Sequence, residues 1–214
     1  MADGNVLLVE GKDDRYVIEH LIRRHSIVAS SFKIKEKDGI NNLLDTLDVE
    51  LLASDVQRLG IMVDADLDIR SRWRSLRNIL LRSGYLMAAE PDPEGTIVSD
   101  PGRKSVGVWM MPDNNAAGLL EHFVSWLIPE EDRLWKQACK CVQEIEEGDR
   151  RFAPAHLVKA QVHTWLAWQQ EPGTPLGLAI TKRYFQVDSA HATQLINWLR
   201  RLFNLPAGQT ITSG

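Results

Sequence analysis

At 214 residues, with 44% hydrophobic and 25% charged side chains, the chain can bury a sizeable core without disulfide or metal staples. A formal net charge of -4 and an isoelectric point near 5.9 exclude a global basic footprint, so any contact with nucleic acid must come from a local patch. No run of about 18 apolar residues occurs, and the charge cluster Glu10 to Asp14 arrives too early for the apolar region of a signal peptide; a cytoplasmic protein with no membrane partner is expected.

Val6 to Val9, bounded by Gly4 and Gly11, is too short an apolar run for a helix and predicts a buried strand. From Asp13 onward Val17, Ile18, Leu21 and Ile22 recur at helical spacing, with Asp13 and Asp14 first and Arg23, Arg24 and His25 last, the order that complements a helix dipole. Ser31 to Lys35 alternates Phe32 and Ile34 with lysines and predicts a half-exposed or edge strand; Ile40 to Leu52 predicts another amphipathic helix. Leu59 to Val63 predicts a third strand, followed by the acidic stretch Asp64 to Asp68 and a helical pattern over Trp73, Leu76, Ile79, Leu80 and Leu81.

Residues Glu90 to Lys104 carry three prolines and two glycines around a candidate short strand, Thr96 to Val98, and form the best candidate for a mobile flap. Val106 to Met111 predicts the last core strand, closed by Pro112 to Asn115 and followed by a helix over Ala116 to Leu127. Beyond Pro129 the pattern is helical, over Glu130 to Glu147, Pro154 to Gln170 and Ser189 to Phe203, with a break at Pro172 to Gly177 and a tail from Pro206 to Gly214 expected to fray. Strands alternating with helices predict an α/β fold with a mostly parallel sheet flanked by helices. Residues 1–128 would form that sheet domain, with 129–214 as a helical C-terminal extension packed on it or continuous with it in one single domain. Cys139 and Cys141 fall roughly 200° apart around a helix, which disfavours a disulfide or zinc site from that pair.

Two segments place carboxylates at the carboxyl ends of strands, where open α/β sheets collect ligands. In Val9-Glu10-Gly11-Lys12-Asp13-Asp14 a glutamate closes the first apolar run and a glycine turns the chain into a helix. A buried carboxylate is costly unless paired, neutralised or metal-bound, which makes Glu10 a candidate catalytic group; the alternative is a rim glutamate bonded to backbone amides or to Lys12. In Met62-Val63-Asp64-Ala65-Asp66-Leu67-Asp68, extended alternation would put Asp64 and Asp66 on one side, facing one cation. The alternative there is a solvated loop, or a helix N-cap by Asp68. Mg²⁺, for which Mn²⁺ substitutes, takes such oxygens together with waters and substrate phosphates. Asp68 and Asp113 are further metal candidates, Asp113 having a turn after Pro112 as its competing role, and Glu121 is either an outer partner of the site or solvated.

Positive charge lies close by. Arg70, Arg74 and Arg77 fall at i, i+4 and i+7 on one helical face, with Arg72 and Arg82 nearby, and offer planar donors to phosphates together with Lys12; the competing reading is a solvated face paired to neighbouring acids. Lys33, Lys35, Lys37 and Lys159 could extend that patch. The tryptophans at 126, 165, 168 and 198 fit apolar helical positions, so they read as core. No histidine pair has zinc spacing, and neither a P-loop nor a G-x-S-x-G elbow is present.

The E-G turn after the first strand, followed about fifty residues on by D-x-D after a later strand, resembles the Toprim superfamily over roughly residues 5–125. That resemblance implies a Toprim-like sheet in which Glu10 is a general acid/base or metal-associated group and Asp64 and Asp66 coordinate Mg²⁺. More narrowly, Val9 to Asp14, Gly107 to Asn114, Gly118 with Glu121, and Gly173 with Leu176 to Ile180 look like a compact bacterial Toprim-like family, a resemblance that names a fold more firmly than a reaction.

Two functions are therefore expected to compete. One is a Mg²⁺-dependent phosphodiester or phosphoryl-transfer enzyme acting on nucleic acid, nuclease-like, for which the resemblance to OLD-type Toprim nucleases implies an ATPase partner, a separate one since the chain carries no P-loop. The other is a non-catalytic Toprim-like module that binds a nucleotide, a nucleic-acid end or a partner protein through the same crevice. Tyr16, Tyr85 and Tyr184 lack any context that would mark a topoisomerase nucleophile.

Overall fold

A computed structural model describes residues 4–206. Five strands, β1 (Asn5–Val9), β2 (Lys33–Glu36), β3 (Arg58–Asp64), β4 (Thr96–Val98) and β5 (Ser105–Met111), form one sheet in the order β2-β1-β3-β5-β4. All pairings are parallel except that of β4, which runs antiparallel along the edge of β5. Among the described residues eight α-helices accompany it: α1 (Lys12–Arg24), α2 (Ile40–Leu52), α3 (Ile69–Arg82), α4 (Leu120–Ser125), α5 (Arg133–Gln143), α6 (Leu157–Ala167), α7 (Leu176–Thr181) and α8 (Ala190–Phe203). This is the α/β architecture expected, a mostly parallel sheet flanked by helices with further helices at the C-terminal end. No helix among the described residues is long and apolar enough to cross a membrane. Of the tail expected to fray, residues 207–214 lie outside the described ones.

Alternation along the strands divides the core in two. Val6, Leu8, Ile61, Val63, Val108 and Met110 pack with α2 and α3 on one face. Leu7, Val9, Met62, Trp109 and Met111 pack on the other with α1, α4, α6, α7 and α8. The second face is built to receive α8. Gly60 and Gly107 are paired across β3 and β5, and a Cβ on either would lie 2.7 Å from Leu7 Cδ1 or Leu202 Cδ2 respectively, so the missing side chains let Leu202 sit against the sheet. Trp198, one turn earlier, packs against Trp109 with ring centroids 5.6 Å apart and planes tilted by 45°. Ser189 caps α8 by accepting from Ala192 N–H, and Asn204 ends it in the left-handed conformation at φ 54°. The C-terminal helices thus supply one wall of the core.

Three segments differ from the sequence reading, each for a local reason. The helix expected over Ala116 to Leu127 shrinks to α4, because Asp113 Oδ1 accepts from the N–H groups of Asn115 and Ala116 and holds the preceding residues in a turn, with Gly118 at φ +156°. The break expected at Pro172 to Gly177 gives way within a few residues to α7, which begins immediately after Pro175. Gly177 serves close packing rather than chain breaking: a Cβ there would meet the backbone carbonyl carbon of Tyr16 at 2.8 Å. The excursion 90–104, expected to be a mobile flap, is pinned to the body. Asn114 Nδ2 and Gln194 Nε2 both donate to Pro93 O, Trp198 Nε1 donates to Thr96 O, and the Arg201 guanidinium donates to Glu94 O.

Candidate functional site

Parallel pairing sets the carboxyl ends of β1, β3 and β5 side by side, with Val9 opposite Met62 and Asp64 opposite Met111. Glu10 and Asp64 therefore emerge together, and they are joined directly: Asp64 N–H donates to Glu10 Oε1 at 2.7 Å. Asp64 in turn accepts from Leu120 N–H through Oδ1 at 2.9 Å, which fixes its carboxylate under the start of α4. One oxygen of each carboxylate is thus oriented by the backbone and the other is left for chemistry.

Two further carboxylates complete the cluster. Asp14, 8% exposed, lies on the same stripe of α1 as Val17, Ile18 and Leu21; its Oδ2 accepts from Gly11 N–H at 3.1 Å, whereas its buried Oδ1 has no partner among the described residues. Glu121, 4% exposed on α4, accepts a 2.7 Å salt bridge from Lys159 Nζ of α6. An acid buried beside other acids resists ionisation. Burial and then the charge of Glu10, with a smaller contribution from Glu121, push the Asp14 carboxyl up to about 7 against the pull of the backbone amides. Burial, followed by the charges of Asp14, Glu10, Glu121 and Asp66, holds Asp64 well above the usual carboxylate range. Glu10 is raised chiefly by burial, although the Asp64 amide and Arg72 oppose the shift. Burial works against the charge on Lys159, but its hydrogen bond to Glu121 and the charges of Glu121, Asp13 and Asp64 hold its pKa above the ordinary lysine value.

The remaining residues singled out by sequence divide sharply. Asp66 does not continue the extended alternation that would place it beside Asp64. It adopts a left-handed conformation at φ 54°, its N–H donates to Gly118 O, and its carboxylate pairs with the Arg72 guanidinium, which also donates to Asp64 O. Asp68 is the N-cap of α3, accepting from Arg70 and Ser71 N–H, and Asp113 is the turn residue described above, so both have structural partners. Arg77 donates to Ala88 O, whereas Arg70, Arg74 and Lys12 are exposed and unpaired among the described residues. Lys35 and Lys37 are drawn away to Glu50.

Among the described residues, no three acidic, histidine or cysteine side chains converge into a closed metal-ligand set. The donor chemistry nevertheless suits a hard divalent cation: Glu10, Asp14 and Asp64 offer only oxygens, the charge of Glu10 opposes ionisation of both aspartates, and Asp14 keeps an orphaned Oδ1. The sequence reading took Asp14 as no more than the start of a helix. Its signal was position: a carboxylate one turn ahead of Val17 and Ile18 on the apolar stripe faces the sheet and not the solvent.

A family model described as "Protein of unknown function (DUF3226)" matches residues 4–204. No curated protein and no solved structure matches the chain.

Proposed function

The chain belongs to the DUF3226 family of proteins of unknown function, and from its own site we propose that it is a Mg²⁺-dependent enzyme of phosphodiester or phosphoryl-transfer chemistry, nuclease-like, acting on nucleic acid. The observation that carries this reading is the direct link between the half-buried Glu10 and Asp64 at the strand ends, beside the buried Asp14 and Glu121. The Toprim resemblance, which implies roles for Glu10, Asp64 and Asp66, agrees with this reading at Glu10 and Asp64.

Asp64 and Asp14 would hold the cation, with Asp66 joining them on exchanging its Arg72 partner. A divalent ion bound there supplies Lewis-acid polarisation of a phosphate. The protein groups do the rest. Glu10 Oε1 is occupied by the Asp64 amide, so Oε2 is the atom that can take or give a proton. Lys159 lies across the cluster on Glu121, while Arg70, Arg74 and Lys12 stand exposed near the rim, where they can meet phosphate oxygens.

A second reading, a module that binds a nucleotide or nucleic-acid end without cutting it, is favoured by the Asp66–Arg72 and Glu121–Lys159 pairs, which neutralise two of the carboxylates without any metal. Incubation of the purified protein with supercoiled plasmid, single-stranded DNA and RNA in Mg²⁺ or Mn²⁺ separates the two. Catalysis predicts cleavage that falls by about 10²-fold or more in both Glu10→Gln and Asp64→Asn, the scale of a lost acid/base group. Cleavage that survives both substitutions would remove the mechanism, and binding without cleavage would establish the module.

A further inference from the structure

Beside the acidic cluster a half-open cavity of about 330 Å³ lies between the loop at Asp66, the segment that leads into α4 and the turn that leads into α6, with Asp66 on the cluster side and Leu157 and Val158, at the start of α6, on the other. The same first turns of α6 carry Lys159 to Glu121, so the cavity wall and the cation over the cluster belong to one rigid element. Its lining is mostly apolar. Pro154 and His156 add flat faces of the kind on which bases stack, and Leu67, 80% exposed, stands at its edge. His122 supplies a directed polar group: Leu119 N–H donates to its Nδ1 at 3.1 Å, which leaves the ring proton on Nε2, an atom with no partner among the described residues. The volume is at the lower end of small-molecule sites, about 300–1,000 Å³, a size for one base with its sugar.

We propose that this cavity is the subsite for the nucleoside attached to the phosphate handled at the acidic cluster, so that the unit recognised is a nucleoside phosphate, free or at the end of a strand. The proposal rests on phosphate chemistry at the cluster and adds what lies next to it: a base held between Pro154, His156 and the apolar wall, with His122 Nε2–H donating to a base or sugar acceptor.

Calorimetry on the full chain with Mn²⁺ tests it, using deoxyadenosine 5′-monophosphate, a 5′-phosphorylated trinucleotide, deoxyadenosine, deoxyribose 5-phosphate and inorganic phosphate as probes. The base-bearing phosphates should bind at least about 10-fold more tightly than deoxyribose 5-phosphate, a difference of about 1.4 kcal/mol. Whichever of the two binds better identifies a free nucleotide or a strand end as the source of the unit. Ala155→Trp and Ala117→Trp, which fill the cavity from its half-buried and exposed sides, should each remove that advantage and leave phosphate affinity unchanged; thermal unfolding checks that both variants are folded. Equal binding of nucleotide and sugar phosphate, or an advantage that survives both filled variants, overturns the subsite. Loss of phosphate and Mn²⁺ binding with deoxyadenosine still bound, and displaced by the filling substitutions, would overturn the metal reading while supporting the cavity.

Discussion

Asp14 shows how one side chain can set the behaviour of the site. Its carboxyl is pushed up from an ordinary 3.8 to about 7, so the folded protein holds a proton there that the unfolded chain has already lost over that interval. The stabilisation is fully present below about pH 4 and is lost as pH rises through about 7, and the upward shifts of Glu10 and Asp64 act in the same direction. In chelator, wild type should therefore unfold at a lower temperature at pH 8 than at pH 5, with a contribution from Asp14 of up to about 3 kcal/mol over that interval. Asp14→Asn, which keeps the shape and removes the charge, should flatten that dependence; an equally steep fall in the variant would show that Asp14 does not carry it. Glu10 and Asp64 were legible in the sequence because a carboxylate directly after an apolar strand has few places to go. Asp66 was legible as an acid and not as a conformer, since its left-handed turn and its Arg72 partner depend on the loop at Gly118, remote in sequence.

At the scale of elements, strands and long helices could be read from periodicity: α2 matches its expected bounds, and the order of strand and helix up to Met111 is as the alternation predicts. What periodicity misses is contact between elements. Pro172 to Gly177 looks like a break because proline and glycine punctuate chains, yet α7 needs Gly177 to reach the Tyr16 backbone of α1. Gly177→Ala tests this through the sign of its effect. An exposed helix interior gains about 1 kcal/mol from that change, but here the added Cβ meets main-chain atoms that cannot rotate away, and the variant should lose about 1–3 kcal/mol in denaturant unfolding. Stabilisation would mean that α7 does not pack on α1 as described. The same blindness to contact made residues 90–104 look free, when their tethers come from side chains as distant as Gln194 and Arg201.

At the scale of the whole molecule, the sheet and the C-terminal helices serve one site. The strands bring Glu10 and Asp64 together, α1 adds Asp14, α4 adds Glu121, and α6 returns from the end of the chain to place Lys159 on that glutamate. At a net charge of -4, the proposed contact with nucleic acid would have to come from such local cations. Buried acids that repel one another destabilise the fold unless protonated or neutralised, so a cation that fits them should stabilise it. The decisive measurement is the unfolding midpoint at pH 8 with inorganic phosphate present, titrated with Mn²⁺, for wild type and Asp64→Asn. Saturation at about 100 times the dissociation constant is worth about 2.7 kcal/mol, or a rise of roughly 5–10 °C for a chain of this size. A cation held at the acidic cluster should give that rise in wild type and lose it in Asp64→Asn; no rise at millimolar Mn²⁺, or the same rise in both proteins, would contradict such a site.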